Sequence, residues 1–201
     1  MCSQYTVLSW VLIALIVVLF FVLAIFTNML RDAVTNMASF MEAAAKNPRY
    51  AGKSEDEIPK PFSLSRVQLA VWTTIISCCY IYLALCGACT LEINSTALIL
   101  MGISAGTTTL ASTIDKSQET QLRHQNEPSK GFLMDIMCDN NGISVHRFQN
   151  IVWTVIAIAT YLCYIELSVC KLPDLDGTLI AMTGISSSAY LGLKINENGK
   201  G

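Results

Sequence analysis

Charge is scarce in this chain. Of 201 residues, 14% are Asp, Glu, Lys or Arg and 53% are hydrophobic, whereas a soluble domain carries roughly a quarter charged residues. The net charge of −2 comes with no basic patch interleaved with aromatics, so no nucleic-acid partner is expected. Histidine is almost missing: His124 and His146 are the pair present. No HExxH, GxSxG or P-loop pattern occurs. The chain is therefore read as a non-enzyme, with no catalytic residue and no cofactor. Asp135, Asp139 and His146 are close in sequence, but a solvated turn accounts for them, and no metal site is expected. No Asp or Glu falls at mid-depth of an apolar run, which argues against a proton-coupled transporter.

What the chain does contain is five uncharged apolar windows: Tyr5 to Met29, Val67 to Leu91, Ile93 to Ile114, Phe148 to Ile165 and Gly177 to Leu193. A spanning helix needs about 17 to 25 residues, and a soluble core would interrupt such runs with a polar position every turn. The first window lacks a basic n-region and a small-residue cleavage site, so it reads as a retained span and not as a signal peptide. Basic residues fall in Arg31 to Arg66, Lys116 to Arg147, and Lys194 with Lys200; Lys171 alone lies apart from them. By the positive-inside rule those segments face the cytoplasm. Five spans then place the N-terminus outside and the C-terminus inside.

The chain also repeats itself. Ser63-Leu64-Ser65-Arg66-Val67-Gln68, leading to Trp72-Thr73, recurs as Ser144-Val145-His146-Arg147-Phe148-Gln149, leading to Trp153-Thr154, at an offset of 81. The phrase around Gly102-Ile103-Ser104-Ala105-Gly106 recurs around Gly184-Ile185-Ser186-Ser187-Ser188, at an offset of 82. A repeated unit made of two spans implies two hairpins in the same orientation, related by an axis along the membrane normal. The expected fold is thus all-α: an N-terminal span with a cytoplasmic extension (1–47), a polar linker (48–62), a first hairpin (63–115), a cytoplasmic connector (116–143), and a second hairpin with a short tail (144–201).

Within this frame, Arg66 and Arg147 are expected to snorkel to headgroups, with Trp72 and Trp153 as interface anchors. Gln68 and Gln149 are costly inside a span unless paired, so they read as interhelical hydrogen bonders. Gly102 and Gly106 form a GxxxG motif, echoed by Gly184 and Ser188. Small residues permit close helix packing. The hydroxyls of Ser104, Thr109, Ser186, Ser187 and Ser188 suit either packing or the lining of a hydrated path. Cys86, Cys89 and Cys170 sit at outer ends of spans, where an oxidising exterior permits a disulfide; Cys78, Cys79 and Cys163 read as apolar packing. Asn94-Ser95-Thr96 matches a glycosylation acceptor on the outer side. Leu30, Val34, Met37, Met41 and Ala44 recur at heptad spacing. They predict that the first helix runs on to Lys46, about 60 Å in all, with a seam for self-association. Phe132, Leu133, Ile136 and Met137 outline a short interfacial helix, followed by a turn at Asp139-Asn140-Asn141-Gly142.

The phrases Ser-x-Ser-Arg-x-Gln with Trp-Thr, and Gly-Ile-Ser-Ala-Gly-Thr, resemble those of a group of small bacterial multi-pass membrane proteins, as does the segment Gly131 to Gln149. The likeness covers about residues 62 to 195. It implies a bacterial origin only and carries no activity and no site; the expected location is the inner membrane. The functional expectation is an oligomeric, pore- or channel-like assembly, a membrane-permeabilising effector gated from the cytoplasm. Glu92, Glu166, Asp174 and Asp176 against Lys171 would make its outer mouth favour cations. The alternative is a non-conducting scaffold that recruits a cytoplasmic protein partner. In either case the bilayer and a second copy of the chain are the expected partners.

Overall fold

A run of apolar residues with no polar interruption makes the first helix, α1 (Cys2–Phe26). The computed structural model describes residues 2–86, 93–117, 126–139, 142–165 and 171–196. Six further α-helices follow among them: α2 (Met37–Lys46), α3 (Leu64–Cys86), α4 (Ser95–Ser117), α5 (Phe132–Met137), α6 (Val145–Cys163) and α7 (Gly177–Asn196). Three helices are long and apolar enough to cross a membrane: α1 from Tyr5, α3 and α4. α6 takes in His146, Arg147, Gln149 and Asn150, and α7 is dense in Gly, Ser and Thr, so both fall short on that measure.

α3, α4, α6 and α7 bury one stripe each at spacings of three and four. On α3 the stripe is Gln68, Trp72, Ile76, Cys79, Leu83 and Cys86; on α4 it is Ala97, Leu100, Ser104, Thr107, Ala111 and Asp115. Arg147, Asn150, Ala157 and Tyr161 supply it on α6, and Thr183, Ser186, Ser187, Tyr190 and Lys194 on α7. Such stripes interlock as a four-helix bundle. α3 packs on α4, α6 on α7, and α4 on α7. Trp72 meets Tyr161 edge-on at 5.9 Å between α3 and α6. α1 lies outside this bundle, against α3, with Trp10 beside Tyr82 at 5.7 Å.

The first helix does not run on to Lys46. It ends at Phe26, and a non-helical stretch precedes α2. The cause is a competing partner: the Asp32 amide donates to the Pro61 carbonyl (2.9 Å) and the Ser63 amide to that of Leu30 (2.8 Å), while the Arg31 guanidinium lies over the Phe62 ring at 4.3 Å. Asn36 caps α2 by accepting from the Ser39 amide. The apolar stripe of Val34, Met37, Met41 and Ala44 is not an open seam, because with Phe40 it packs on Ile58 and Tyr50 of the following linker. The interfacial helix also divides. Ile136 is buried with Leu64 and Tyr190, while Phe132, Leu133 and Met134 are exposed. Cys138–Asp139 pairs antiparallel with Gly142–Ile143.

Candidate functional site

Depth divides the bundle interior. At one end Trp72, Ile76, Leu83, Leu100, Ala157 and Tyr161 form an apolar cluster, joined by Leu172 and Leu175 from the loop before α7. At the other end Leu64, Ala111, Ile136 and Tyr190 form a second cluster. Between them lies a polar band. Gln68 donates to the Thr154 hydroxyl at 2.7 Å, linking α3 to α6, and Thr154 in turn donates to the Asn150 carbonyl. Gln149 reaches Ser186 of α7 at 3.5 Å. Ser104, Thr107, Asn150, Ser186 and Ser187 are buried there, and Asn150 Nδ2 has no hydrogen-bond partner among the described residues. A path for ions along the axis of one chain would have to displace both apolar clusters.

An ion pair stands beside the second cluster. Lys194 of α7 meets Asp115 of α4 at 2.9 Å, with side chains 3% and 7% exposed. Asp115 and Lys194 each follow an apolar window in the sequence, and their opposite signs at the ends of two packed helices are the signal that points to the pair. Arg147 is not at a headgroup surface: it is 6% exposed, with its guanidinium 5.4 Å from the Tyr190 ring. Trp72 is likewise a core residue, 3% exposed. Trp153 and Arg66 are half-buried.

The small residues expected on one path are split between two faces. Ser104, Ser186 and Ser187 face the interior. Gly102, Gly106, Thr109 and Ser188 are exposed on the outside of the bundle, and a Cβ at Gly102 or Gly106 would meet nothing within 4 Å, whereas one at Gly184 would touch Ile103 at 3.7 Å. Among the described residues, then, the two glycines of the GxxxG motif have no helix packed on them. Of the outer cysteines, Cys86 is buried; Cys89 and Cys170 lie outside the described residues.

Two further polar anchors were not legible beforehand. Asp135 is fully buried; its carboxylate accepts from the amides of Lys130 (2.8 Å) and Phe62 (3.1 Å) and from the Ser129 hydroxyl. Asn126 Oδ1 accepts from the amides of Thr35 (3.1 Å) and Asn36 (3.2 Å). Together they bind the 126–139 segment to the 30–62 segment as one layer at the bundle end. At the opposite end Asn94 is no free glycan acceptor. Its amide nitrogen donates to the Leu172 and Pro173 carbonyls and to Asp174 Oδ1 at 2.7 Å, and its oxygen caps α4 at Ala97. Among the described residues, no group of three or more His, Cys, Asp or Glu is placed to hold a metal.

No family model, curated protein or solved structure matches this chain.

Proposed function

We propose that the chain is a five-span membrane protein, N-terminus outside, whose work is done by the layer at its cytoplasmic end: a non-conducting scaffold for a protein partner. The five-span reading is supported by α6 and α7 sharing one bundle with α3 and α4, and by the segregation of basic residues. A single observation carries the scaffold: the 30–62 and 126–139 segments are fastened to each other through the buried Asp135 and Asn126 side chains. A buried carboxylate with three donors fixes geometry, which a recruiting surface needs and a mere linker does not. Leu133, Met134, Ile143 and Val145 are exposed on that layer and offer the apolar contact area a partner uses.

The exposed Gly102, Gly106 and Thr109 on α4, with the exposed Ser188 on α7, favour a second reading, a channel-like assembly in which copies of the chain enclose a hydroxyl-lined path between them. Conductance of the purified protein in a planar bilayer, with its oligomeric mass measured alongside, separates the two. The scaffold predicts no conductance at any oligomeric mass. A steady current that changes when Thr109→Cys, in a cysteine-free background, is modified by a charged thiol reagent would replace the scaffold by the channel.

A further inference from the structure

Where α3 begins and α4 ends, the chain leaves a cleft lined by Ser63, Ser65, Arg66, Thr108, Ser112 and Lys116, with Asp32 and Asp115 also facing it. Asp115 is occupied by Lys194 at 2.9 Å. Ser63 and Ser65 are each 1% exposed, so the wall of the cleft is built and not a surface accident. Arg66 is half-buried and has no hydrogen-bond or ion-pair partner among the described residues. A guanidinium withdrawn from water without a partner is costly.

The internal repeat supplies the comparison. Adding 81 to Ser63, Ser65 and Arg66 gives Ser144, His146 and Arg147; adding 82 to Thr108 and Ser112 gives Tyr190 and Lys194. In the second copy the place is filled. Arg147 lies 5.4 Å from the Tyr190 ring and Lys194 lies 5.9 Å from it. In the first copy two small hydroxyl residues stand where the ring and the ammonium would be, and the guanidinium is left to the cleft.

We propose that this cleft binds a phosphate group, either the phosphodiester of an inner-leaflet lipid headgroup or a free phosphate. Arg66 supplies the planar fork suited to a tetrahedral oxyanion, Lys116 a second positive charge, and Ser112 a hydroxyl donor; the Thr108 hydroxyl already donates to the Ser65 carbonyl at 3.0 Å, and those of Ser63 and Ser65 bond to each other at 3.4 Å. Asp115 is neutralised by its ion pair with Lys194, and Arg66 and Lys116 outweigh Asp32, so the cleft is net positive. The lipid source rests on the five-span reading, which puts Arg66 at headgroup depth; the free-phosphate source does not.

The test uses the full chain purified in detergent. It is titrated with dioleoyl phosphatidylglycerol in mixed micelles, with bound lipid counted by native mass spectrometry. Separately it is titrated with inorganic phosphate, read by thermal shift. Arg66→Gln should weaken binding by about tenfold or more. Thr108→Tyr, which copies the second repeat, should close the cleft. Lys46→Gln removes the same charge from the exposed end of α2 and should change nothing. Lipid retention that millimolar phosphate does not displace identifies the headgroup; a phosphate-dependent shift that competes with lipid identifies the free anion. Wild-type protein that binds neither overturns the proposal. So does Arg66→Gln that folds and binds as tightly as wild type, and this variant decides the matter alone if Thr108→Tyr does not fold.

Discussion

Gln68 and Gln149 occupy equivalent places in the repeat and do different things. Gln68 crosses between the hairpins to Thr154 at 2.7 Å, while Gln149 stays within its own hairpin and reaches Ser186 at 3.5 Å. Replacing Gln68 by Leu should cost on the order of 0.6 to 2 kcal/mol, the range for interhelical hydrogen bonds in membranes. Gln149→Leu should cost less, because its bond is at the limit of useful length. Thermal unfolding in detergent ranks the two, and equal losses would show that the bonds are not what holds these positions. The Asp115–Lys194 pair allows a sharper trial. Removing one partner of a buried ion pair costs about 3–5 kcal/mol, whereas replacing both by apolar residues is often near neutral. Asp115→Leu alone should therefore destabilise strongly, and Asp115→Leu with Lys194→Met should recover most of the loss. At this scale the sequence revealed which polar residues needed partners but not which partners they found. Arg147 illustrates why: its repeat mate Arg66 faces a cleft, and the difference was written 43 residues further on, in Tyr190 replacing Thr108.

Helix positions follow directly from apolar run length, so α1, α3, α4, α6 and α7 all lie where the five windows put them. The break after Phe26 does not follow, because it is decided by residues 61–63 pairing with 30–32, a contact with no local signature. The same event turns the heptad stripe of α2 inward onto Ile58. Met41→Ala should then lower the stability of the α2 layer, by less than the about 2–5 kcal/mol that truncating a fully packed methionine costs, because Met41 is only partly buried. It should leave the oligomeric mass unchanged, and a mass that halves would restore the self-association seam. α4 gives the opposite expectation. Since nothing lies within 4 Å of a Cβ on Gly102 or Gly106, Gly102→Leu and Gly106→Leu should fold with the melting temperature of the isolated chain preserved. If copies meet through this face, the same variants should dissociate them, because GxxxG contacts depend on close backbone approach. Sedimentation in a density-matched detergent reads both quantities at once.

The molecule as a whole is clasped at both ends. At the cytoplasmic end of the five-span reading Asp135 and Asn126 tie the two polar segments together; at the other, Asn94 and Asp174 tie the two hairpin loops. The Asn94–Asp174 clasp carries a pH signature. The hydrogen bond from Lys171, aided by those from Asn94 and Thr96, holds the Asp174 carboxyl below its ordinary value of 3.8. A carboxylate with a lowered folded pKa contributes stability that is complete above its unfolded value and lost as pH falls through the folded one. Asp174 is half exposed, so the effect is small and local. Hydrogen exchange in 93–97 and 171–176, corrected for intrinsic rates, should be equally slow at pH 7 and pH 5 and should rise below about pH 4, while Asp174→Asn should exchange faster at pH 7 and show less of that rise.

In the five-span reading these two ends face opposite compartments, and that orientation is the expectation on which the scaffold depends. The exposed apolar residues of the Asp135 layer can recruit a cytoplasmic protein only if residues 30–62 and 126–139 face inward. The basic residues argue that they do: Arg31, Lys46, Arg49, Lys53, Lys60 and Lys130 all fall in those two segments, and moving them outward would oppose the charge bias that sets topology. A reporter active only in the cytoplasm should therefore give signal when fused after Gly201 and when inserted at Lys53, a position in the exposed linker that makes no contact with the bundle core. Single cysteines at Lys171 and Lys46, in a cysteine-free background, should divide the same way: the first labelled from outside intact cells by a membrane-impermeant reagent, the second labelled only after lysis. Signal lost at both fusion points, together with Lys46→Cys labelled from outside, would place the Asp135 layer in the wrong compartment and remove the scaffold along with the five-span topology.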